Sequence, residues 1–272
     1  MNTVDFDYVR KFVRDEAAIV LEPGKEYLVE SRLLILARKE NLVSIDELIS
    51  KLRSDPKNGL HRKVVDAMTT NETSFFRDIH PFEALRKSIL PELMARRAAE
   101  RQVNFWCGAA STGQEPYSVL MLIAEHFPEL LKWDIKFIAT DLCSEVLARS
   151  RAGCFSQLEI NRGLPANLLV KYFVREGASW KIRDDLRRRV EFREMNLVKD
   201  WPSLPPLDIV FLRNVLIYFD VETKKTILAK TRRLLRPGSY LLLGGAETTF
   251  NIDEAFEREV IDKTTWHRVK QG

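Results

Sequence analysis

The sequence lacks an apolar run long enough to cross a membrane. A transmembrane helix needs about 20 consecutive, mainly apolar residues, and no stretch of the chain approaches that length. The first ten residues include Asp5 and Asp7 instead of the basic segment that opens a secretory signal. Together these absences predict a cytoplasmic protein that is neither exported nor inserted into a membrane.

Cysteine is scarce, with 3 residues in a chain of 272 and no CxxC pair among them. An odd number of cysteines without that spacing favours neither a disulfide framework nor a zinc site. We therefore expect Cys107, Cys143 and Cys154 to be reduced thiols in or near the core. No bound metal is expected.

A strong excess of either charge is also missing. The net charge is +4, and residues 1–70 contain 12 basic and 12 acidic side chains, so the surplus lies in residues 71–272. Domains that bind nucleic acid usually have a strongly basic face. A small, scattered surplus therefore argues against nucleic acid as a partner.

Two regions with different hydrophobic patterns make up the chain. Residues 1–70 have helical periodicity and no strand pattern. From Val103 onward, short apolar runs alternate with helical segments. Strands that helices bury on both faces have this pattern, which predicts a doubly wound, mainly parallel sheet. The helices expected in the first region span residues 8–21, 26–40, 44–53 and 60–68.

These patterns divide the chain into an N-terminal helical domain at residues 1–75 and an α/β domain at residues 76–272. A polar, arginine-rich stretch at about 163–195 interrupts the alternation of strands and helices. It is too long for an ordinary loop in a compact domain. We interpret it as a small insertion in the α/β domain.

A run of small residues follows the first predicted strand. It reads Gly108-Ala-Ala-Ser-Thr-Gly113, and the helix after it has Glu115 and Pro116 in its first turn. In doubly wound sheets this turn lies at the carboxyl edge, where nucleotides bind. Alanine and serine replace two glycines of the dinucleotide fingerprint. The run alone is therefore compatible with a ligand site or with a tight packing turn.

The second predicted strand ends in Asp141, 28 residues after Gly113. A carboxylate at this point commonly binds the hydroxyls of a ribose. The pattern favours an adenosyl group over a diphosphate. An acidic residue at a strand end can also be only the N-cap of the next helix, and this interpretation stays open.

Two further segments bring polar and aromatic residues together. Residues 71–78, NETSFFRD, lie at the boundary between the two regions, and residues 213–220, RNVLIYFD, follow the predicted strand LDIVFL. Domain junctions and sheet edges commonly hold ligands. A capped helix start with two buried phenylalanines, or a tyrosine packed at the edge of the core, would produce similar strings.

Taken together, NETSFFRD, ASTGQEPYS and LRNVLIYFD closely resemble signature strings of the CheR family of chemoreceptor glutamate methyltransferases. Nearly the whole chain follows that family's organisation. The resemblance implies a small all-helical domain, then a Rossmann-like S-adenosylmethionine-dependent methyltransferase domain with a small β-subdomain insertion. It further implies chemotaxis signal transduction, with methyl transfer to glutamates on the cytoplasmic helices of chemoreceptors and S-adenosyl-L-homocysteine as product.

The resemblance also assigns the site residues. Arg77 and Tyr218 would be the catalytic residues, facing the reacting methyl group and positioning the reactants. A glutamate side chain is already ionised near pH 7, so none of the 4 histidines has to act as a general base. The residues expected to contact the cofactor are Asn71, Thr73, Arg77, Glu115, Asp141, Asn196, Leu197, Arg213 and Asn214.

In some CheR family members the β-subdomain binds a short tether peptide at the C-terminus of the receptor. The corresponding stretch here, residues 171–196, is a few residues shorter and lacks the glycine-rich loop of those members. We therefore expect methylation that does not depend on a C-terminal pentapeptide.

Basic residues recur at seven-residue spacing in the second predicted helix, at Lys25, Arg32 and Lys39, with Arg38 beside them. This spacing would put them on one helical face. The face would suit an acidic receptor helix. It would equally suit a solvated charged surface, since residues 1–70 are neutral overall.

Three other functions remain open from the sequence. They are a regulatory protein that binds S-adenosylmethionine without turnover, an NAD-linked dehydrogenase, and a nucleic-acid methyltransferase. Intact Arg77 and Tyr218 argue against the first function. The missing glycines argue against the second, and the lack of a basic stripe or base-stacking motif argues against the third.

Overall fold

The computed structural model describes residues 1–54 and 59–270, which separate into two compact units. Residues 1–70 and 218–223 form the first unit, and the rest of the described chain forms the second. The division thus falls at residue 70, whereas the sequence-based boundary is at residue 75. The physical reason is that Phe75 is buried in the core of the second unit.

The first unit contains helices α1 (Thr3–Ala17), α2 (Glu26–Lys39), α3 (Ile45–Ser54) and α4 (Leu60–Met68). Each buries apolar residues spaced three or four apart, as Phe6, Val9 and Val13 do in α1. These stripes pack together in one apolar core. Helix α1 begins earlier than its periodicity predicts, because the Asn2 side chain accepts a hydrogen bond from the Asp5 N–H at 2.8 Å.

Arg32 of α2 is turned toward the end of α4. Its Nη1 donates to the carbonyl oxygens of Met68 at 2.7 Å and Thr69 at 3.1 Å, and its Nη2 donates to Thr70 Oγ1 at 3.0 Å. The last carbonyls of a helix have no partner within the helix, so the guanidinium satisfies them.

The predicted basic face of α2 is therefore divided. Lys25, Arg38 and Lys39 are exposed, whereas Arg32 is partly buried and hydrogen-bonded to α4. Arg32 therefore does not share one exposed face with Lys25 and Lys39, and docking of a receptor helix at this surface stays a prediction. The seven-residue spacing puts Arg32 on the same side of the helix as Lys25 and Lys39, but its guanidinium donates to the carbonyls at the end of α4 instead of facing solvent.

The second unit is built on two sheets. Its strands within the described residues are β1 (Gln102–Gly108), β2 (Asp134–Asp141), β3 (Cys154–Ser156), β4 (Phe173–Glu176), β5 (Ser179–Ile182), β6 (Val190–Glu194), β7 (Leu207–Leu212), β8 (Leu235–Leu243), β9 (Phe256–Ile261) and β10 (Thr264–Val269). The main sheet has the order β6-β2-β1-β7-β8-β10-β9. Its first five strands are parallel, and β10 is antiparallel to both neighbours. The predicted mainly parallel sheet is confirmed.

Helices accompany this sheet and bury its central strands. They are α5 (His80–Ala84), α6 (Leu90–Arg96), α7 (Gln114–His126), α8 (Ser144–Ala152), α9 (Gln157–Asn161), α10 (Ala166–Tyr172), α11 (Asp184–Arg187) and α12 (Val221–Leu234). Every residue of β7 is buried, which explains why its sequence is apolar apart from Asp208. The Asp208 carboxylate accepts from Arg97 Nε and from the Asn104 N–H, both at 2.9 Å. Among the helices of the described ranges, none is long and apolar enough to cross a membrane.

The small sheet, in the order β3-β5-β4, confirms the predicted β-subdomain insertion. Its strands span residues 154–182, so the sheet begins before the predicted range of 163–195, and the end of that range forms β6 of the main sheet. Phe155 and Phe173 of the small sheet pack edge-to-face on Phe75, with ring centroids 5.0 and 5.7 Å away. The insertion is thereby fixed against the segment NETSFFRD.

The contact between Arg32 and α4 predicts a stability effect. Arg32→Ala is expected to lower the free energy of unfolding by about 1 to 3 kcal/mol, because the last carbonyls of α4 lose a charged donor. Urea unfolding followed by circular dichroism measures the change. The control is Arg38→Ala, at an exposed position of the same helix, where a change within about 0.5 kcal/mol is expected. Equal stability of the two variants would contradict the contact.

Candidate functional site

The segments singled out in the sequence meet at the carboxyl edge of the parallel strands. Strands β1 and β2 pair in register through Gly108 and Thr140. Strand β6 pairs with β2 through Glu194 and Asp141. The turn after β1, the end of β2 and the residues after β6 therefore leave the sheet at the same edge, where doubly wound folds bind ligands.

The turn after β1 has an unusual backbone. Ala109 and Ser111 have φ angles of 59° and 51°, and Gly113 has a φ of 93°. Residues other than glycine seldom adopt positive φ. A Cβ on Gly113 would lie 3.0 Å from the Ser150 Cβ and 3.2 Å from the ring of Tyr117. Glycine at this position therefore allows the turn to pack closely against its neighbours.

Asp141 is buried and holds this turn in place. Its Oδ2 accepts from the Ser111 N–H at 2.8 Å, and its Oδ1 accepts from the Cys143 N–H at 2.9 Å. Ser111 Oγ in turn donates to the carbonyl of Asn71 at 2.7 Å. The N-cap of α8 is Cys143, so Asp141 is more than a helix cap. It joins the end of β2 to the first turn, and Ser111 of that turn joins the segment NETSFFRD.

Arg213 provides the second connection, as a buried guanidinium between two carboxylates. Its Nη1 donates to Glu115 Oε2 at 2.5 Å, and its Nη2 donates to Asp78 Oδ2 at 2.9 Å and to the Arg77 carbonyl at 3.0 Å. The bond to Glu115 is largely shielded from water, where charge-assisted hydrogen bonds are strong, whereas the Asp78 side chain is 60% exposed. Two carboxylates share one guanidinium, so the three side chains together are negatively charged.

Cys107 lies beside Glu115, and its thiol donates to Glu115 Oε1 at 3.4 Å. Burial raises the pKa of the Cys107 thiol well above its ordinary value, and the Glu115 carboxylate raises it further. The thiol therefore stays protonated near neutral pH. Because the nucleophilic form of cysteine is the thiolate, this raised pKa disfavours Cys107 as a nucleophile.

Arg77 and Thr73 lie in the segment NETSFFRD, and both are partly buried. Arg77 Nη1 donates to the Glu72 carbonyl at 3.2 Å. The Phe76 N–H donates to Ser118 Oγ at 3.0 Å, which attaches the segment to α7. The segment is therefore held on the same unit as the sheet edge.

Asn196 and Leu197 follow β6 directly. Asn196 Oδ1 accepts from the Val198 N–H at 3.1 Å, and the Leu197 carbonyl accepts from Trp201 Nε1 at 2.9 Å. Trp201 packs edge-to-face on Trp106, with ring centroids 5.1 Å apart. The two residues are thus held in a turn supported by two tryptophan rings.

The last two predicted residues follow β7. The Asn214 N–H donates to Glu247 Oε2 at 2.8 Å. Tyr218 groups with the first unit, where its carbonyl accepts from the Val20 N–H at 3.0 Å. The predicted residues that the second unit contains are Asn71, Thr73, Arg77, Glu115, Asp141, Asn196, Leu197, Arg213 and Asn214.

Sequence reasoning missed three residues that take part in these contacts, namely Ser111, Asp78 and Glu247. Ser111 and Asp78 lie inside strings that were singled out, so their polarity was a signal. Glu247 lies in the connection after β8, where no motif indicated it.

Comparison with known families assigns both parts of the chain to one family. The profile described as "CheR methyltransferase, SAM binding domain" matches residues 71–265, and the profile described as "CheR methyltransferase, all-alpha domain" matches residues 4–69. The chain belongs to the CheR methyltransferase family. The resemblance seen in its signature strings is confirmed, and the two profiles meet where the compact units divide.

Individual relatives are similar along almost their whole length. Chemotaxis protein methyltransferase Cher2 of Pseudomonas putida KT2440 is 40% identical over 93% of this chain and 94% of its own. Chemotaxis protein methyltransferase 1 of Pseudomonas aeruginosa PAO1 is 41% identical over 93% of both chains. Chemotaxis protein methyltransferase 2 of Vibrio cholerae is 32% identical over 96% of this chain and 91% of its own. These matches argue against an NAD-linked dehydrogenase.

The pair of Arg213 and Glu115 predicts energetic coupling, since the two side chains are only 3% and 13% exposed. Arg213→Met is expected to lower the free energy of unfolding by about 3 to 5 kcal/mol, because Glu115 keeps its charge without its guanidinium. Adding Glu115→Gln should restore at least about 1 kcal/mol. Tryptophan fluorescence during urea unfolding measures the unaltered protein, the single variants Arg213→Met and Glu115→Gln, and the double variant, because the 5 tryptophans lie within residues 106–266. Strictly additive losses would contradict the coupling.

Proposed function

We propose that this protein transfers the methyl group of S-adenosylmethionine to glutamate side chains of chemoreceptors, forming glutamate methyl esters. The observation that carries the proposal is the set of hydrogen bonds by which Asp141 and Arg213 connect the signature segments of a CheR methyltransferase at one sheet edge. The relatives in Pseudomonas, named chemotaxis protein methyltransferases, support a chemotaxis protein as the substrate.

The donor and acceptor groups at the sheet edge fit an adenosyl cofactor that carries a positive charge. Asp141, at the end of β2, is in the position from which doubly wound folds bind ribose hydroxyls. Glu115 and Asp78 share the single guanidinium of Arg213. Their residual negative charge favours a cation nearby, since opposite charges attract more strongly away from bulk water.

The remaining contacts of the cofactor are assigned by the family resemblance. Asn196 and Leu197 would bind on the adenine side, next to the end of β2. Asn71, Thr73 and Arg77 would reach the cofactor from the segment NETSFFRD. The other proposed contacts of the cofactor are Glu115, Asp141, Arg213 and Asn214.

The proposed reaction needs little proton transfer from the chain. S-adenosylmethionine supplies a methyl group that its positively charged sulfur has already activated. A glutamate with a pKa near 4.3 is a carboxylate at neutral pH. Its oxygen forms a bond to the methyl carbon while the carbon–sulfur bond breaks, which leaves S-adenosylhomocysteine and a neutral ester.

The chain therefore contributes by positioning the carboxylate and the methyl group and by excluding water. Both effects lower the barrier without a general base. We assign these tasks to Arg77 and Tyr218. The Arg77 guanidinium offers parallel N–H donors that match a carboxylate. The Tyr218 hydroxyl supplies a second hydrogen-bonding group for the reactants.

Radiolabel transfer tests the proposed function. The protein is incubated with methyl-labelled S-adenosylmethionine and purified receptor, and the labelled receptor is then treated with mild base. A glutamate ester releases labelled methanol, whereas a methylated nitrogen retains its label. Label that survives the base would contradict the ester. Binding of S-adenosylhomocysteine without any transfer would instead favour a regulatory protein.

Substitution of Arg77 tests its assigned role. Arg77→Ala is expected to reduce turnover by about 30- to 1000-fold, or about 2 to 4 kcal/mol in the barrier, because a charged donor is lost where the reactants meet. Tyr218→Phe should reduce turnover less. The matched control is Arg162→Ala, which removes a 57% exposed arginine paired with Glu72 of the same segment. Near-normal turnover in folded Arg77→Ala would refute the assignment.

The small sheet bears on the question of a receptor tether. Strands β4 and β5 have four residues each, and the two-residue turn Gly177-Ala178 joins them, with Gly177 at a φ of 60°. Such a short hairpin has no space for a glycine-rich loop. A peptide would add as a strand at the edge of the sheet. These features support our proposal that methylation is independent of a C-terminal pentapeptide.

A peptide titration tests this independence. A tether would act by raising the local concentration of receptor to about the millimolar range. We expect calorimetry with a receptor C-terminal pentapeptide to give no saturable binding below about 1 mM, because the hairpin is short. Receptors with and without the pentapeptide should be methylated at equal rates. Micromolar binding of the peptide would contradict the prediction.

A further inference from the structure

The Glu247 carboxylate accepts hydrogen bonds from four backbone amides. Its Oε2 accepts from the N–H groups of Asn214 at 2.8 Å and Gly244 at 2.6 Å, and its Oε1 accepts from those of Val215 at 2.9 Å and Ile217 at 3.3 Å. Charged acceptors make hydrogen bonds that are about twice as strong as neutral ones. One side chain thus joins the connection after β8 to the segment after β7.

The segment that Glu247 holds is placed between residues of the proposed site. It begins one residue after Arg213, whose guanidinium binds Glu115. It ends one residue before Tyr218, within the 3₁₀ turn Leu216–Tyr218. Asn214 has a φ of 56°, a left-handed conformation that asparagine adopts more readily than most residues and that its surroundings can stabilise. The hydrogen bonds of Glu247 supply such surroundings.

Gly244 shows how closely the two loops approach one another. A Cβ at this position would lie 2.7 Å from Glu247 Oε2 and 2.9 Å from the backbone nitrogen of Asn214. A side chain there would displace either the carboxylate or the backbone that it holds. Gly244 is therefore needed for the contact, which gives a second way to disrupt it without altering Glu247.

We infer that Glu247 is a positioning residue for methyl transfer. It fixes the backbone of residues 214–217, and through this backbone it sets Asn214 for the cofactor. The inference rests on the function proposed above. It goes beyond that function because Glu247 belongs to none of the signature strings and acts only through the residues that it holds.

Glu247→Gln and Gly244→Ala test the inference. Glutamine keeps the size of the side chain, but its amide nitrogen would face backbone N–H donors. In both variants we expect faster hydrogen exchange at the amides of Asn214, Val215 and Ile217. We also expect binding of S-adenosylhomocysteine and turnover per folded molecule to fall at least about tenfold, as loss of one charge-assisted hydrogen bond predicts. The Michaelis constant for receptor should stay within about twofold of its normal value.

The matched control is Glu254→Gln, the same change within the connection after β8. Glu254 is exposed and accepts from the N–H of Asn251, three residues away, at 3.1 Å. This variant should bind S-adenosylhomocysteine and turn over normally. It separates the effect of the Glu247 contacts from the effect of removing one negative charge.

Two results would overturn the inference. One is unchanged exchange at the three amides, together with normal cofactor affinity. The other is a lowered melting temperature with normal turnover per folded molecule, which would leave Glu247 a structural role only. If the unaltered protein methylates no receptor, the proposed function fails, but amide exchange and S-adenosylhomocysteine affinity still decide whether Glu247 positions the segment.

Discussion

A carboxylate removed from water requires hydrogen-bond donors, and this requirement organises the carboxyl edge of the main sheet. The Asp141 carboxylate accepts hydrogen bonds from the backbone amides of Ser111 and Cys143. The Glu115 carboxylate accepts from the Arg213 guanidinium, and the Glu247 carboxylate accepts from four backbone amides. Breaking such contacts costs several kcal/mol. The loops at this edge are therefore held in one arrangement by the charges that they enclose.

Loops with a fixed conformation suit a reaction whose barrier comes mainly from positioning the two reactants. A carboxylate and an activated methyl group react when they are held together with water excluded, and they need no proton transfer at neutral pH. Catalysis of this kind relies on dipoles and donors that are placed before the substrate arrives. The hydrogen bonds around Asp141, Arg213 and Glu247 hold the loops at this edge in place, as the proposed methyl transfer requires.

Much of the fold could be predicted because burial leaves periodic patterns. The spacing of apolar residues identified α2 and α4 to within one residue, and the short, mainly apolar runs identified β2 and β7. The start of the insertion was missed because β3 has only three residues, too few to show alternation. The predicted boundary at residue 75 differs from the division at residue 70, because a buried phenylalanine such as Phe75 does not indicate in sequence which core it joins.

The partners of polar side chains were harder to predict, and the reason is physical. Arg32 has the spacing of a surface residue, yet its partners are carbonyls at the end of another helix. Glu247 binds amides that lie 30 to 33 residues away in sequence. Every residue except proline supplies a backbone N–H, so a side chain that binds the backbone needs no particular partner residue. Only the fold reveals such contacts, and Glu247 was therefore not singled out from the sequence. Asp141 was singled out because it lies at the end of a predicted strand, not because its partners could be predicted.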